Sequence, residues 1–507
     1  MALHPGIGTA DVVEELYSAG LVRFAPVGSP QPQLAQGVPS LDNGLWKVFP
    51  DGRMELTYRL REGLKWHDGT PLTAHDVVFA AQLGQDPEMP EFRHEVYGYL
   101  ERVRAVDERT VVTEWKELYI QAHILFSYEV GVPLPRHLLE DAYLADKAHF
   151  AQLRFWMSDE YVHAGPFRVR EFLTGQQLIV EAFDGYVFGR PKLDEIEVRI
   201  IPDANTLIAN VLAGAVHVTI GGTALTVDQA KQAAAAWSDG KMAVYPHEGA
   251  VNAKPNLESP DPRALLDVRI RQALAHALDL DGLNDLTTGG LAPVTGFTLP
   301  PGSPEFAQLK PYIVTYPFDR RRAEQLIQEA GFTRSGDVYR DSSGSELWAE
   351  VRSPGGGPNE QAALFLADSW KAVGAGGKAN IGNFTSEQNA SRPGFLIAAG
   401  SFAMDQPRRL IWYHSRDIPR APRWVGGNSL RYSNPELDGL IDRFFITLPE
   451  QERIDLLKQI ARHITENAVQ MGLYHPVFPQ LVHNRVQDYV PRTVYAQTYD
   501  VHLWSIR

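Results

Sequence analysis

Met54 to Leu83 reads MELTYRLREGLKWHDGTPLTAHDVVFAAQL, and its patterning decides how the rest of the chain is read. Leu56, Tyr58 and Leu60 alternate with Thr57 and Arg59, the period of a half-buried β-strand. Asp68-Gly69-Thr70-Pro71 stops that strand, since Gly accepts a sharp backbone and Pro has no N–H for a ladder. Thr73 then predicts a helix N-cap, with Asp76 in the position of a capping-box acid. Val77, Val78, Ala81 and Leu83 give the helix an apolar face. His67 and Asp68 are neighbours on an extended backbone and point to opposite faces, so they read as a packed His and a turn Asp rather than a catalytic pair.

Composition narrows the field. A chain of 507 residues exceeds one ordinary core and calls for two or three domains. Hydrophobic residues at 44% and charged ones at 22% are globular values. The net charge of −14 excludes a broad nucleic-acid-binding surface, which needs a basic stripe to displace counterions. With no cysteine there is no disulfide, no thiol nucleophile and no Cys-based metal site. No apolar run is long enough to span a bilayer. Met1-Ala2-Leu3-His4-Pro5 has neither a basic n-region nor an apolar h-region. Taken literally that points to the cytoplasm; the alternative is a mature chain with an added start Met.

The elements continue in the same manner. Strands are expected at Thr110–Trp115, Phe167–Val169, Leu178–Ala182 and Ile196–Ile200, and a short one at Val216–Ile220. A helix is expected from Ala204 to Ala213, stopped by Gly214. In Leu266–Gly290, Ile270, Ala273, Leu274 and Leu278 form a stripe at helical spacing that Asp279 to Asp281 close. Ser433 or Asn434 caps a helix with Pro435 in its first turn. Gly355 to Gly357 lead into another, an entry turn before it is an anion cradle. Glu248–Pro262 is poor in regular signals and rich in Pro and Asn, as a crossing between lobes would be; Gly472–His483 is strand-like, with the return crossing expected at Gly472–Pro479.

Catalytic motifs are missing: no P-loop, no Gly-x-Ser-x-Gly elbow, no HExxH, and sixteen histidines without ligand spacing. No cofactor and no metal site are expected. The aromatic residues are the remaining signal, and Phe402 to His414, FAMDQPRRLIWYH, with Trp424 beyond it, is their best cluster for a site. Arg408 and Arg409 within it read as solvent-facing before they read as a site, though they could receive a carboxylate or phosphate bidentately.

YRLREGLKWHDGTPLTAHDVVFA resembles the signature of the family 5 extracellular solute-binding proteins, the peptide-binding receptors of ABC importers and their relatives. VVEELYSAGLVRF at Val12 resembles the family's opening element, AGPFRVREFLTGQQLIVEAFDGYVFGRPKLDEIEVRIIPD its Gly-Pro-Tyr strand region, and LDVRIRQALAHALDLDGLNDLTTGG its Arg-Val-Arg-Gln-Ala-Leu helix. The resemblance implies an α/β two-lobe, Venus-flytrap fold with an extra subdomain in the first lobe. Lobe I would run over 1–253 with its insertion at about 30–161, lobe II over 254–474, and the return to lobe I over 475–507. It implies a receptor, not an enzyme, that closes on a peptide or other small solute between the lobes. Its partners would be ABC permease and ATPase subunits at the membrane. It would be a periplasmic or extracellular monomer that binds no nucleic acid.

The ligand-binding residues expected are Tyr17, Asn256, Phe402, Asp405, Arg408, Trp412 and Trp424. The peptide-binding branch carries an Asp for the peptide's α-amino group, which aligns here with Ala403, and Asp405 takes its place only with a shift of register. The Glu of the opening element is also missing, since Ser18-Ala19-Gly20 follow Tyr17. Both departures weaken selection for a free peptide N-terminus, because a buried ammonium needs a carboxylate partner. The alternatives are a receptor for a non-peptide solute (oligosaccharide, nickel, haem, opine-like or phosphorylated), a receptor feeding a sensor, and an extracellular hydrolase acting on a peptide or glycan.

Overall fold

The computed structural model describes the chain except residues 1–12, 25–29, 93, 128–129, 222–224, 247–248, 300, 401–406 and 493–496. It divides into two compact units, Met1–Tyr245 with Phe478–Arg507, and Pro246–Val477.

In the first unit β1 (Val22–Phe24) pairs with β2 (Pro30–Pro32). An antiparallel sheet follows in which β3 (Trp46–Val48) lies beside β4 (Met54–Arg59). The alternation in β4 is realised: Met54, Leu56 and Tyr58 are buried, and the Tyr58 hydroxyl donates to the Ala122 carbonyl at 2.8 Å. Thr73 caps α1 (Ala74–Gln85) through a complete capping box, with Asp76 Oδ2 accepting the Thr73 N–H at 2.8 Å. The hairpin β5 (Leu100–Asp107) and β6 (Thr110–Trp115) completes the sheet in the order β3-β4-β6-β5. Helix α2 (Arg136–Ala145) packs on α1. A second antiparallel sheet runs β7 (Phe167–Leu173), β8 (Gln177–Ala182), β9 (Glu195–Arg199).

Helix α3 (Ala204–Leu212) ends where expected, but the strand expected at Val216–Ile220 is a single bridge, Val218 to Val482. The ladder stops because the Thr219 hydroxyl, rather than a backbone carbonyl, takes the Leu481 N–H at 2.9 Å. Helix α4 (Val227–Ala235) and β10 (Gly240–Pro246) close this part of the chain.

The second unit is built on a mixed sheet. β11 (Ala250–Pro255) leads to α5 (Val268–His276) and α6 (Leu280–Thr288). Asp279 does not merely end the apolar stripe: its carboxylate accepts the Gly282 N–H at 3.1 Å and so opens α6. Next come α7 (Arg320–Glu329), β12 (Ala349–Ser353), α8 (Gly357–Ala372), β13 (Gly377–Ile381) and β14 (Phe395–Gly400). Asn434 caps α9 (Pro435–Ile446), and α10 (Glu450–Glu466) leads to β15 (Met471–Tyr474). The sheet order is β13-β12-β14-β11-β15, with β12 parallel to both neighbours and β11 antiparallel to both of its own.

β11 pairs with β14 from Ala250 to Pro255, which ties Ala250 onward to the second unit's sheet. The chain accordingly changes unit at 245/246 rather than 253/254, and returns at 477/478 rather than 474/475, as β16 (Val477–His483) pairs with β10. Among the described residues no helix is long and apolar enough to cross a membrane.

Candidate functional site

The expected site residues divide by what their side chains already do. Tyr17 lies in the first unit, 3% exposed, with its ring edge-on to Tyr161 at 5.4 Å in an aromatic core. That core is fixed by the signature. His67 Nε2–H donates to the Gly165 carbonyl at 3.1 Å, and His67 Nδ1 accepts the His163 N–H at 3.2 Å, which selects one neutral tautomer. His163 Nδ1 in turn accepts from Ala164 at 2.9 Å and Ala19 at 3.2 Å. Burial pushes His67 down to about 4 and His163 well below its ordinary value. A Cβ at Gly165 would stand 2.3 Å from the Tyr17 carbonyl carbon, so the segment needs glycine there. Tyr17 therefore packs, and its expected role in ligand contact is corrected to a scaffold role.

Asp68 behaves as the turn residue expected, accepting the Thr70 N–H at 2.9 Å and pairing with His137 at 2.6 Å. Beside Tyr17, Glu14, Glu15, Ser18, Arg23 and Gln33 line a cavity of about 10 Å³, room for about one water molecule. Burial pushes the Glu15 carboxyl up to about 8, against the lowering effect of Arg23.

Asn256 is corrected likewise. It is buried, its Oδ1 accepts the Glu258 and Ser259 N–H groups at 3.2 and 3.3 Å, and its Nδ2 donates to the Arg392 carbonyl at 2.7 Å. These bonds shape the turn that leaves β11. Phe402 and Asp405 lie outside the described residues, as does the Arg408 side chain; Arg408 sits in a 3-10 turn, Pro407–Tyr413.

Trp412 and Trp424 are half-buried. Trp424 takes φ +52° in a turn closed by the Arg420–Val425 bridge, with its N–H on the Arg420 carbonyl at 2.8 Å. Around Trp412 the structure gathers residues not expected there. The Lys254 Nζ lies 5.7 Å from the indole centroid and the Arg409 guanidinium 5.4 Å. Burial, with the guanidinium groups of Arg392 and Arg409, pushes the Lys254 amine down to about 8. Arg392, fully buried, donates to the carbonyls of Lys254 (2.9 Å), Ser429 (2.7 Å) and Asn389 (2.7 Å). Glu258 binds Arg420 at 2.6 Å and Arg431 Nε at 2.7 Å, which hold its carboxyl low against the raising effect of burial.

Sequence reasoning missed Lys254 although its signal was present. In Val251-Asn252-Ala253-Lys254, apolar and polar residues alternate, so Asn252 and Lys254 share the strand face opposite the core. Two further features bear on chemistry. The Gly355–Gly357 entry to α8 is filled by the chain itself, since Glu360 accepts the Gly356 N–H at 2.6 Å. Ser415, His414 and Asp438 adjoin, but Ser415 Oγ donates directly to Asp438 at 2.5 Å and His414 Nδ1 accepts the Arg416 N–H at 3.0 Å. The imidazole does not stand between hydroxyl and carboxylate as an acyl-transfer triad requires.

Known proteins place this architecture. The oligopeptide-binding protein AppA of Bacillus subtilis, solved in complex with a nonapeptide, superposes with a TM-score of 0.71 at 21% identity, covering 100% of this chain and 96% of that one. The fold is that α/β two-lobe class. Residues 30–415 match the model of the bacterial extracellular solute-binding proteins, family 5, and the chain belongs to that family. In sequence it is 24% identical to AppA over 84% of this chain and 76% of AppA. It is also 24% identical to the heme-binding protein A of Haemophilus influenzae, over 88% of this chain and 80% of that protein.

Proposed function

We propose that this chain is the solute-capturing receptor of an ABC importer, taking up a peptide or similar small solute and handing it to a membrane permease powered by ATPase subunits. It acts outside the cytoplasm, in the periplasm or at the cell surface, as a monomer. It releases its ligand chemically unchanged and uses no cofactor. The observation that carries this reading is the division of labour among the family-like residues. Tyr17, His67 and Asn256 have their polar groups or rings committed to scaffold, whereas Trp412 keeps a half-exposed face beside cationic side chains and Trp424 is half-exposed in its turn. Aromatic faces with a few charged groups suit capture and orientation of a solute.

The ligand contacts proposed are Trp412 and Trp424, with Phe402, Asp405 and Arg408 from the same stretch. Residues of about 30–161 are proposed as the first lobe's inserted subdomain. A hydrolase in their place would need a nucleophile beside a base, and the bonding of Ser415 and His414 argues against one here. Mass spectrometry of ligand carried through gentle purification tests the reading. An intact peptide supports it, and a sugar or phosphorylated compound replaces the peptide with another solute.

A further inference from the structure

Trp412 and Tyr413 are neighbours at the end of one 3-10 turn, yet Trp412 is half-buried and Tyr413 is buried. The buried neighbour is bound. The Gln470 amide donates to the Tyr413 hydroxyl at 2.7 Å and to Thr298 Oγ1, also at 2.7 Å. Thr298 Oγ1 donates onward to Asn252 Oδ1 at 3.4 Å, and Asn252 Nδ2 donates to the Ala250 carbonyl at 2.8 Å. All four side chains are buried. Asn252 belongs to β11 and lies opposite Gly472 of β15, the strand that Gln470 leads into, so the string ties the turn to the sheet. Burial pushes the Tyr413 hydroxyl up to about 12 and so keeps it neutral. The indole next to it is fixed by shape: a Cβ at Gly427 would stand 1.9 Å from Trp412 Cδ1 and 2.3 Å from Nε1.

We propose that Gln470 is a positioning residue for ligand capture: by holding the Tyr413 hydroxyl it sets where the Trp412 indole stands. The inference rests on the receptor reading and adds to it a residue far along the chain from the Phe402–Trp424 stretch. A buried amide binds only a group that presents its oxygen at the right distance and angle, whereas an apolar side chain accepts several packings. The string from Asn252 to Tyr413 therefore specifies one seat for the tyrosine and, through the shared backbone, one orientation of the turn. Deleting one partner leaves the other buried and unbonded, while deleting both together relieves that demand. The pair is thus coupled: once the Tyr413 hydroxyl is gone, Gln470 has little left to contribute to the place of the indole.

Tyr413→Phe, Gln470→Met and the double variant of the full chain test this with two readouts. One is the indole N–H resonance of Trp412, assigned by its loss in Trp412→Phe. The other is retention of a pool of random nonapeptides, counted by mass spectrometry. Each single variant is expected to shift the resonance and to lower retention by about fivefold, the worth of one hydrogen bond. The double variant is expected to go little further than either single one, because both act through the same bond. A merely structural contact would lower the melting temperature and leave resonance and retention as in the wild type, and that result overturns the proposal. Fully additive losses in the double variant overturn it as well. Should Gln470→Met fail to fold, Tyr413→Phe, which removes a single oxygen atom, decides alone. Failure of the receptor reading looks different: a wild type that retains no peptide overturns the peptide reading, and the coupled shifts of the resonance then uphold or, by their absence, overturn the role of Gln470.

Discussion

Trp412 is the residue on which the proposed ligand capture turns. It is held by packing against Gly427 and by two cations, yet it keeps a half-exposed face. Trp412→Ala is therefore expected to lower ligand affinity by about tenfold or more, as loss of an aromatic anchor does, with little change in melting temperature. Calorimetric titration beside a thermal scan checks it; a large fall in stability would make Trp412 a core residue instead. Residue-level reading from sequence was uneven. Trp412 and Trp424 stood out as aromatics in a charged stretch, and Lys254 was legible as a polar position in an alternating strand. Tyr17 and Asn256 were misjudged for one reason: family-like wording does not reveal whether a side chain's bonds are already used. The contact of Gly427 with Trp412 joins a loop to a turn, and local patterning carries no trace of it.

Elements were legible where the deciding interactions are local. The capping box at Thr73, the cap at Asn434 and the alternation in β4 form as their spacings predict, because each involves neighbours within a turn or a strand. The Val216–Ile220 strand failed because its outcome depended on how a distant partner strand met Thr219. The same long-range dependence gives Arg271 its role. This buried α5 residue donates to the carbonyls of Asn467 (2.7 Å) and Ala468 (3.1 Å), just past the end of α10, and to Leu265 (2.8 Å) and Leu266 (3.0 Å). A guanidinium there satisfies carbonyls at a helix C-terminus and favours the dipole. Arg271→Met is expected to destabilise the second unit by about 3 kcal/mol, since several buried acceptors lose their donor. Urea unfolding measures it, and a loss under about 0.5 kcal/mol would contradict the clamp.

At the scale of the whole molecule, acid sensitivity follows from the signature histidine. The folded-state value of about 4 for His67 lies below the ordinary 6.5, so the fold holds it neutral. Its stabilising contribution is complete above pH 6.5 and is lost as the pH falls from there toward 4, by about 3 kcal/mol; His163 acts in the same direction. Protonation would set an N–H on His67 Nδ1 against the His163 N–H it now accepts. Denaturation midpoints between pH 7.5 and 4.5 should fall accordingly, and a flat profile would contradict this. The two-lobe class was readable from the signature because its residues build scaffold. The ligand was not, because the residues proposed to contact it, Trp412 and Trp424 among them, lie in a stretch that does not repeat the wording of the peptide-binding branch. The central claim, that the chain captures a solute and passes it on unchanged, is tested most directly by mass spectrometry of what the protein carries after gentle purification. The account predicts one intact ligand per chain, most simply a peptide. Shortened products or a cleaved substrate would contradict it.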